Sequence, residues 1–174
     1  MNLIDKFLNK KNQYSFSTSW DIDAPLELVW NELINYQKWP TWCRSLEKIE
    51  QRGFFDAVKR GNTIRSTWKG VLPYRITFDS VVDNVTQYSF LSFDVTGDLY
   101  GQGMCYFRAS HDITTIHFIW NVSPTKLWIK MSSPFARVIF IENHNYIMDQ
   151  TLAGFVSMIT RKTQSMALNK TVCQ

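Results

Sequence analysis

The sequence predicts an α+β fold: a seven-stranded antiparallel sheet covered by one long C-terminal helix. Three observations predict it. Strand-like runs with alternating apolar and polar residues fill most of the chain between Tyr14 and Asn121. Short turn signals separate the last six of them, which points to a meander rather than βαβ units. A final stretch from Ser132 to about Thr163 then carries a helical period with only Gly154 as an interruption.

The elements can be justified in order. Leu3, Ile4, Phe7 and Leu8 fall on one face of a short helix, with Asp5, Lys6, Asn9 and Lys10 opposite, so residues 1–13 form an amphipathic segment. It either packs on its own domain or meets a membrane surface or a partner. Residues 14–22 alternate aromatic or apolar with Ser, Thr and Asp, as a half-buried strand does. Asp23 or Ala24 then caps a helix with Pro25 and Glu27 in its first turn and Leu26, Val29, Trp30 and Leu33 on one face. That helix ends near Tyr36, and Trp39-Pro40-Thr41-Trp42 breaks the chain away from it.

Six strands are expected at 44–54, 62–70, 73–83, 87–96, 99–110 and 113–122, divided by Arg60-Gly61-Asn62, Gly70, Asp83-Asn84, Gly97-Asp98 and His111-Asp112. Ser132-Ser133-Pro134 opens the last helix. Phe140, Ile141, His144, Ile147, Met148, Thr151, Phe155, Met158 and Ile159 make its apolar stripe. Phe135, Ile139 and Tyr146 fall outside the stripe and call for a second contact. The domain thus covers 14–165, and 166–174 reads as a flexible C-terminal tail.

Composition narrows the function. Of 174 residues, 45% are hydrophobic and 20% charged, which excludes a disordered or fibrous chain. Seven Trp, seven Tyr and 12 Phe are enough large flat side chains to fill a thick core or line a cavity. The net charge of +4 comes from scattered basic residues, so nucleic-acid binding is not supported. Cys43, Cys105 and Cys173 show neither metal spacing nor an even count for disulfides. With Asp5 interrupting the first apolar stretch, a cytoplasmic protein is expected.

A single helix rarely fills the space under so wide a sheet, so a cavity between the two is expected. His144 sits at the centre of the helical stripe and should face it. That position suits a core histidine bonded to a carbonyl or hydroxyl, a ligand contact, or a general acid/base. Trp68, Tyr74, Phe78, Phe93 and Trp120 are the aromatic strand residues expected on the cavity wall, with Met148 beside His144 on the helix. Strand parity puts Tyr74, Ile76 and Phe78 on one face, and Ile116, Phe118 and Trp120 on one face, with His117 outward. Trp39 and Trp42 either guard the cavity mouth or pack as a corner. Gly101-x-Gly103 lacks the third glycine of a dinucleotide loop, because Tyr106 stands there, and no metal or cofactor motif appears.

Ala24-Pro25-Leu26-Glu27 with Val29-Trp30, Trp39-Pro40-x-Trp42, and Trp68-x-Gly70-x-x-Pro73-Tyr74 together resemble the START-like, polyketide cyclase/dehydrase (SRPBCC) superfamily. So do Gly97-Asp98-Leu99-x-Gly101-x-Gly103 and Trp120-x-Val122 running into Pro134, Asn143-His144 and Met148. The resemblance spans residues 16 to 160. It implies the helix-grip fold, a curved sheet wrapped around the C-terminal helix with a ligand pocket between them. The expected function is binding of an apolar small molecule (lipid, isoprenoid or polyketide-like) as carrier or sensor. A cyclase, dehydratase or isomerase using His144 with a partner such as Tyr74 is the enzymatic alternative, and a protein-interaction module the third.

Overall fold

The computed structural model describes residues 13–53, 58–125 and 134–172. Strand β1 (Tyr14–Asp23) leads into helix α1 (Leu26–Ile34) and a 3-10 turn (Tyr36–Thr41). Strands β2 (Leu46–Arg52), β3 (Thr63–Trp68), β4 (Ile76–Thr86), β5 (Phe90–Gly97), β6 (Leu99–Ser110) and β7 (Ile113–Pro124) follow, and helix α2 (Pro134–Val172) comes last. The strands form one antiparallel sheet in the order β1-β7-β6-β5-β4-β3-β2. The meander is as expected, with β1 added beside the last strand, so that Phe16 lies opposite Trp120 and Trp20 opposite Ile116.

Period-two alternation decides which face each side chain takes. On β1 the apolar set Tyr14, Trp20 and Ile22 is buried while Ser15, Ser17, Ser19 and Asp21 stay out. The outer face is polar and paired. Ser19 Oγ lies 2.8 Å from His117 Nδ1, and Arg65 grips Asp79 through two bonds of 2.8 and 2.7 Å. His117 therefore faces outward, as its strand parity requires.

Four local expectations are corrected. Asp23 does not cap α1, because it is held in the ladder opposite Ile113; Pro25 takes the cap position without a side-chain bond. The first helix stops at Ile34, and Pro40, which lacks a backbone donor, lies in the separate 3-10 turn. β4 begins at Ile76, beyond Pro73, so Tyr74 precedes the ladder and does not share the strand face of Phe78. Helix α2 runs on to Val172 instead of ending near Thr163, and the expected tail at 166–174 is helical as far as Val172. From Arg161 to Val172 the chain contains neither Gly nor Pro, so nothing ends the helix there. At 39 residues it is about 58 Å long.

Two buried clusters hold helix to sheet. The larger joins the second half of α2, through Phe155, Met158 and Ile159, to Trp20, Trp30, Leu33 and Trp42. The smaller joins Phe140, near the start of α2, to Tyr14, Leu72, Ile76, Phe78, Val95 and Leu99. Lys162 also bonds to Glu32, tying α2 to α1. The second contact expected for Phe135, Ile139 and Tyr146 is not found among the described residues, where they are 78%, 50% and 42% exposed. The amphipathic segment 1–13 lies, except for Gln13, outside the described residues, as does Cys173. Among the described residues no helix is long and apolar enough to cross a membrane.

Gly154 is the point of closest approach. A β-carbon there would stand 2.1 Å from the carbonyl oxygen of Trp42. Alanine in place of glycine favours a helix by about 1 kcal/mol, but overpacking against backbone costs about 1–3 kcal/mol. Gly154→Ala should therefore lower stability, and Gly154→Val should lower it further. Urea denaturation of the two variants measures this, and a stabilised Gly154→Ala would show that the helix stands off from Trp42.

Candidate functional site

Between the two clusters lies a cavity of about 170 Å³. Strand β6 makes room for it. Its inward positions read Leu99, Gly101, Gly103, Cys105 and Phe107, small in the middle and large at the ends. Gly103 pairs with Phe93 on one side and Trp120 on the other. A β-carbon on Gly103 would come within 2.3 Å of the Phe93 ring, so the missing side chain is what lets that ring lie over the strand. Phe93 then meets Trp120 edge-on at 5.3 Å, and Phe78 meets the same indole at 5.9 Å.

Six of the seven residues expected on the wall line the cavity: Trp68, Phe78, Phe93, Trp120, His144 and Met148. Tyr74 does not. It packs beside the smaller cluster, where burial, followed by the Asp98 charge, pushes its hydroxyl pKa up to about 12. Trp39 lines the cavity, whereas Trp42 is a packed corner, edge-on to Phe155 at 5.3 Å. Sequence reasoning missed Phe16 and Asn143, both of which line it, while Phe140 of the helical stripe lines it too. The alternation of β1 already carried the signal for Phe16. Asn143 gave no such signal, because a polar residue on the inner side of an amphipathic helix contradicts the stripe.

Most polar groups in this wall already have partners. Asn143 Oδ1 accepts the Leu72 backbone N–H at 3.3 Å. The Thr151 hydroxyl donates to the Ile147 carbonyl at 2.7 Å. The indole N–H of Trp39 donates to the Leu33 carbonyl at 2.9 Å, and that of Trp68 to Ser66 Oγ at 2.9 Å. Cys105 is fully buried, which pushes its thiol up to about 12 and leaves it neutral.

His144 is the exception. Both ring nitrogens are buried, and neither has a hydrogen-bond partner among the described residues. No carbonyl or strand hydroxyl of the described residues bonds to it, as one would in an ordinary core histidine. Its ring stacks on Phe16, with centroids 3.7 Å apart and planes 7° apart. Burial lowers its pKa below the ordinary histidine value, and the neighbouring Asn145 side chain, which lies close but outside hydrogen-bond geometry, offsets this only in part. The imidazole is therefore neutral at pH 7, with one donor and one acceptor.

A curved seven-stranded antiparallel sheet, a long C-terminal helix across it and an apolar cavity between them define the helix-grip fold. Solved structures share it. TTHA0849 from Thermus thermophilus superposes with a TM-score of 0.71 at 12% identity, covering 86% of this chain and 99% of that one. The aromatase/cyclase Zhui from Streptomyces sp. R1128 gives 0.68 at 12% identity, covering 87% and 96%. The di-domain ARO/CYC BexL of the BE-7585A biosynthetic pathway gives 0.67 at 17% identity; the match covers 88% of this chain and 52% of BexL. No protein-family model matches the chain, and no curated protein sequence matches it. The expectation of a START-like, polyketide-cyclase-type architecture is thus borne out at the level of the fold.

The lowered His144 pKa has a sign. The unfolded chain takes up a proton near pH 6.5, before the folded chain does, so acid favours unfolding through this group. Stability should fall as pH drops from about 6.5 through the lower folded-state value, and His144→Phe should flatten that slope. Denaturant midpoints at several pH values measure it. An unchanged slope in the variant would show that the ring is readily solvated.

Proposed function

We propose that this protein binds an apolar small molecule in the cavity between sheet and helix, as a carrier or sensor. The observation that carries this is the wall itself: aromatic and aliphatic, with His144 alone, among the described residues that line it, holding buried nitrogens without a partner. An apolar wall gains from covering by a ligand, by about 25 cal/mol per Å² removed from water. The volume also suffices, since an apolar cavity of about 150 Å³ already takes up benzene. Trp68, Phe78, Phe93, Trp120 and Met148 would hold the ligand, and His144 would give its one polar contact. The fold relation to Zhui and BexL agrees with such a pocket without selecting a ligand.

The burial of His144 favours a second reading. A neutral imidazole in an apolar cavity is a base available at pH 7, which cyclase, dehydratase or isomerase chemistry would use. Tyr74, the partner expected from the sequence, is not on the cavity wall, so His144 would act without it. Deuterium uptake next to the carbonyl of α-tetralone, followed by NMR, tests this reading. Acceleration by the wild type and not by His144→Gln would support it.

Native mass spectrometry of freshly purified protein and titration with the neutral fluorophore N-phenyl-1-naphthylamine test the binding reading. Binding in the micromolar range is expected. Met148→Trp, which fills the cavity, should weaken it about tenfold or more. Equal binding by folded Met148→Trp would place the fluorophore elsewhere and overturn the reading.

A further inference from the structure

We propose that the ligand of this cavity is a neutral, flat molecule with one hydroxyl or carbonyl group, and that Phe16 positions His144 to receive that group. This deepens the binding reading above and rests on it.

Charge comes first. Among the described residues that line the cavity there is no Lys, Arg, Asp or Glu. An ion in such a site would lose its hydration without gaining a partner, so carboxylates, phosphates and ammonium groups are rejected. The number of polar contacts comes next. Asn143 Oδ1 and the Thr151 hydroxyl are engaged by Leu72 and Ile147, and of the four indoles among the described lining residues, those of Trp39 and Trp68 are engaged by Leu33 and Ser66. Among the described residues that line the cavity, the His144 ring alone has buried nitrogens lacking a partner. One polar group on the ligand is what that wall can satisfy, and a hydroxyl or carbonyl matches a neutral imidazole.

Direction comes last. Phe16 is held in the ladder opposite Trp120 and stacks on the His144 ring at 3.7 Å and 7°. Stacking fixes the imidazole plane, and the N–H and lone pair lie in that plane. The polar end of the ligand therefore meets the helix beside β1, and its flat body extends along the sheet toward Phe93 and Trp68. Phe16 lines the cavity itself, and through its stack on His144 it also positions the ligand's polar partner.

Three probes with one skeleton test this at pH 7: naphthalene, 2-naphthol and 2-naphthoate, with affinities from tryptophan quenching or calorimetry. The wild type should bind 2-naphthol about fivefold or more tighter than naphthalene, and 2-naphthoate weaker than naphthalene. His144→Phe should erase the naphthol advantage and keep naphthalene binding. Phe16→Leu should reduce the advantage more than it changes naphthalene affinity, an effect that a merely structural role would not produce. If a variant fails to fold, the ¹⁵N shifts of His144 in the wild type still decide. They should move with 2-naphthol and not with naphthalene. Naphthoate binding as tightly as naphthol, or naphthol showing no advantage in the wild type, overturns the proposal while leaving an apolar site. If none of the three binds, the binding reading itself falls.

Discussion

The packing of one helix against a sheet too wide for it governs this structure. Helix α2 is fastened where Gly154 lets its backbone come against the Trp42 carbonyl, and Phe155 and Ile159 are sealed there at 0% and 2% exposure. It is fastened again where Phe140 meets Tyr14 at 4.4 Å. A stiff helix held at two points cannot also follow the curved sheet between them. Ile141, His144, Ile147 and Met148, which lie between, are only half-buried. The cavity is the space that this geometry leaves.

The sheet deepens that space from its own side. Small residues at Gly101, Gly103 and Cys105 remove side chains from the middle of β6, and the neighbouring strands fill part of the gap with Phe93 and Trp120. The result is a wall of ring faces and edges rather than an aliphatic core. Such a wall suits flat ligands, because rings stack or meet edge-on at little entropic cost. The outer face of the same sheet carries the charged and hydroxyl pairs, such as Arg65 with Asp79 and Thr115 with Asp21.

One buried polar ring in an apolar wall is costly to leave unpaired, by about 1–3 kcal/mol. Proteins of this size have few such atoms, and each calls for an explanation. At His144 the cost is reduced by neutrality and by stacking on Phe16, but the donor and acceptor are still unmatched among the described residues. That mismatch gives the cavity its polarity and direction, and it is common to the carrier and the enzymatic readings.

The sequence by itself determined the order of elements, the faces of the strands and most of the wall. Period-two alternation and turn residues are local signals, and Trp68, Phe78, Phe93 and Trp120 followed from them. The stripe on the last helix likewise brought His144 and Met148 inward. Tertiary structure alone decided the rest. Tyr74 left the wall because Pro73 delays the start of β4, and Asn143 entered it because its amide oxygen meets the Leu72 N–H, a partner 71 residues away. Whether His144 had a partner was also undecidable from the chain, since a hydrogen bond depends on distance across the fold, not on spacing along it. Periodicity tells which way a side chain points; only packing tells what it meets there.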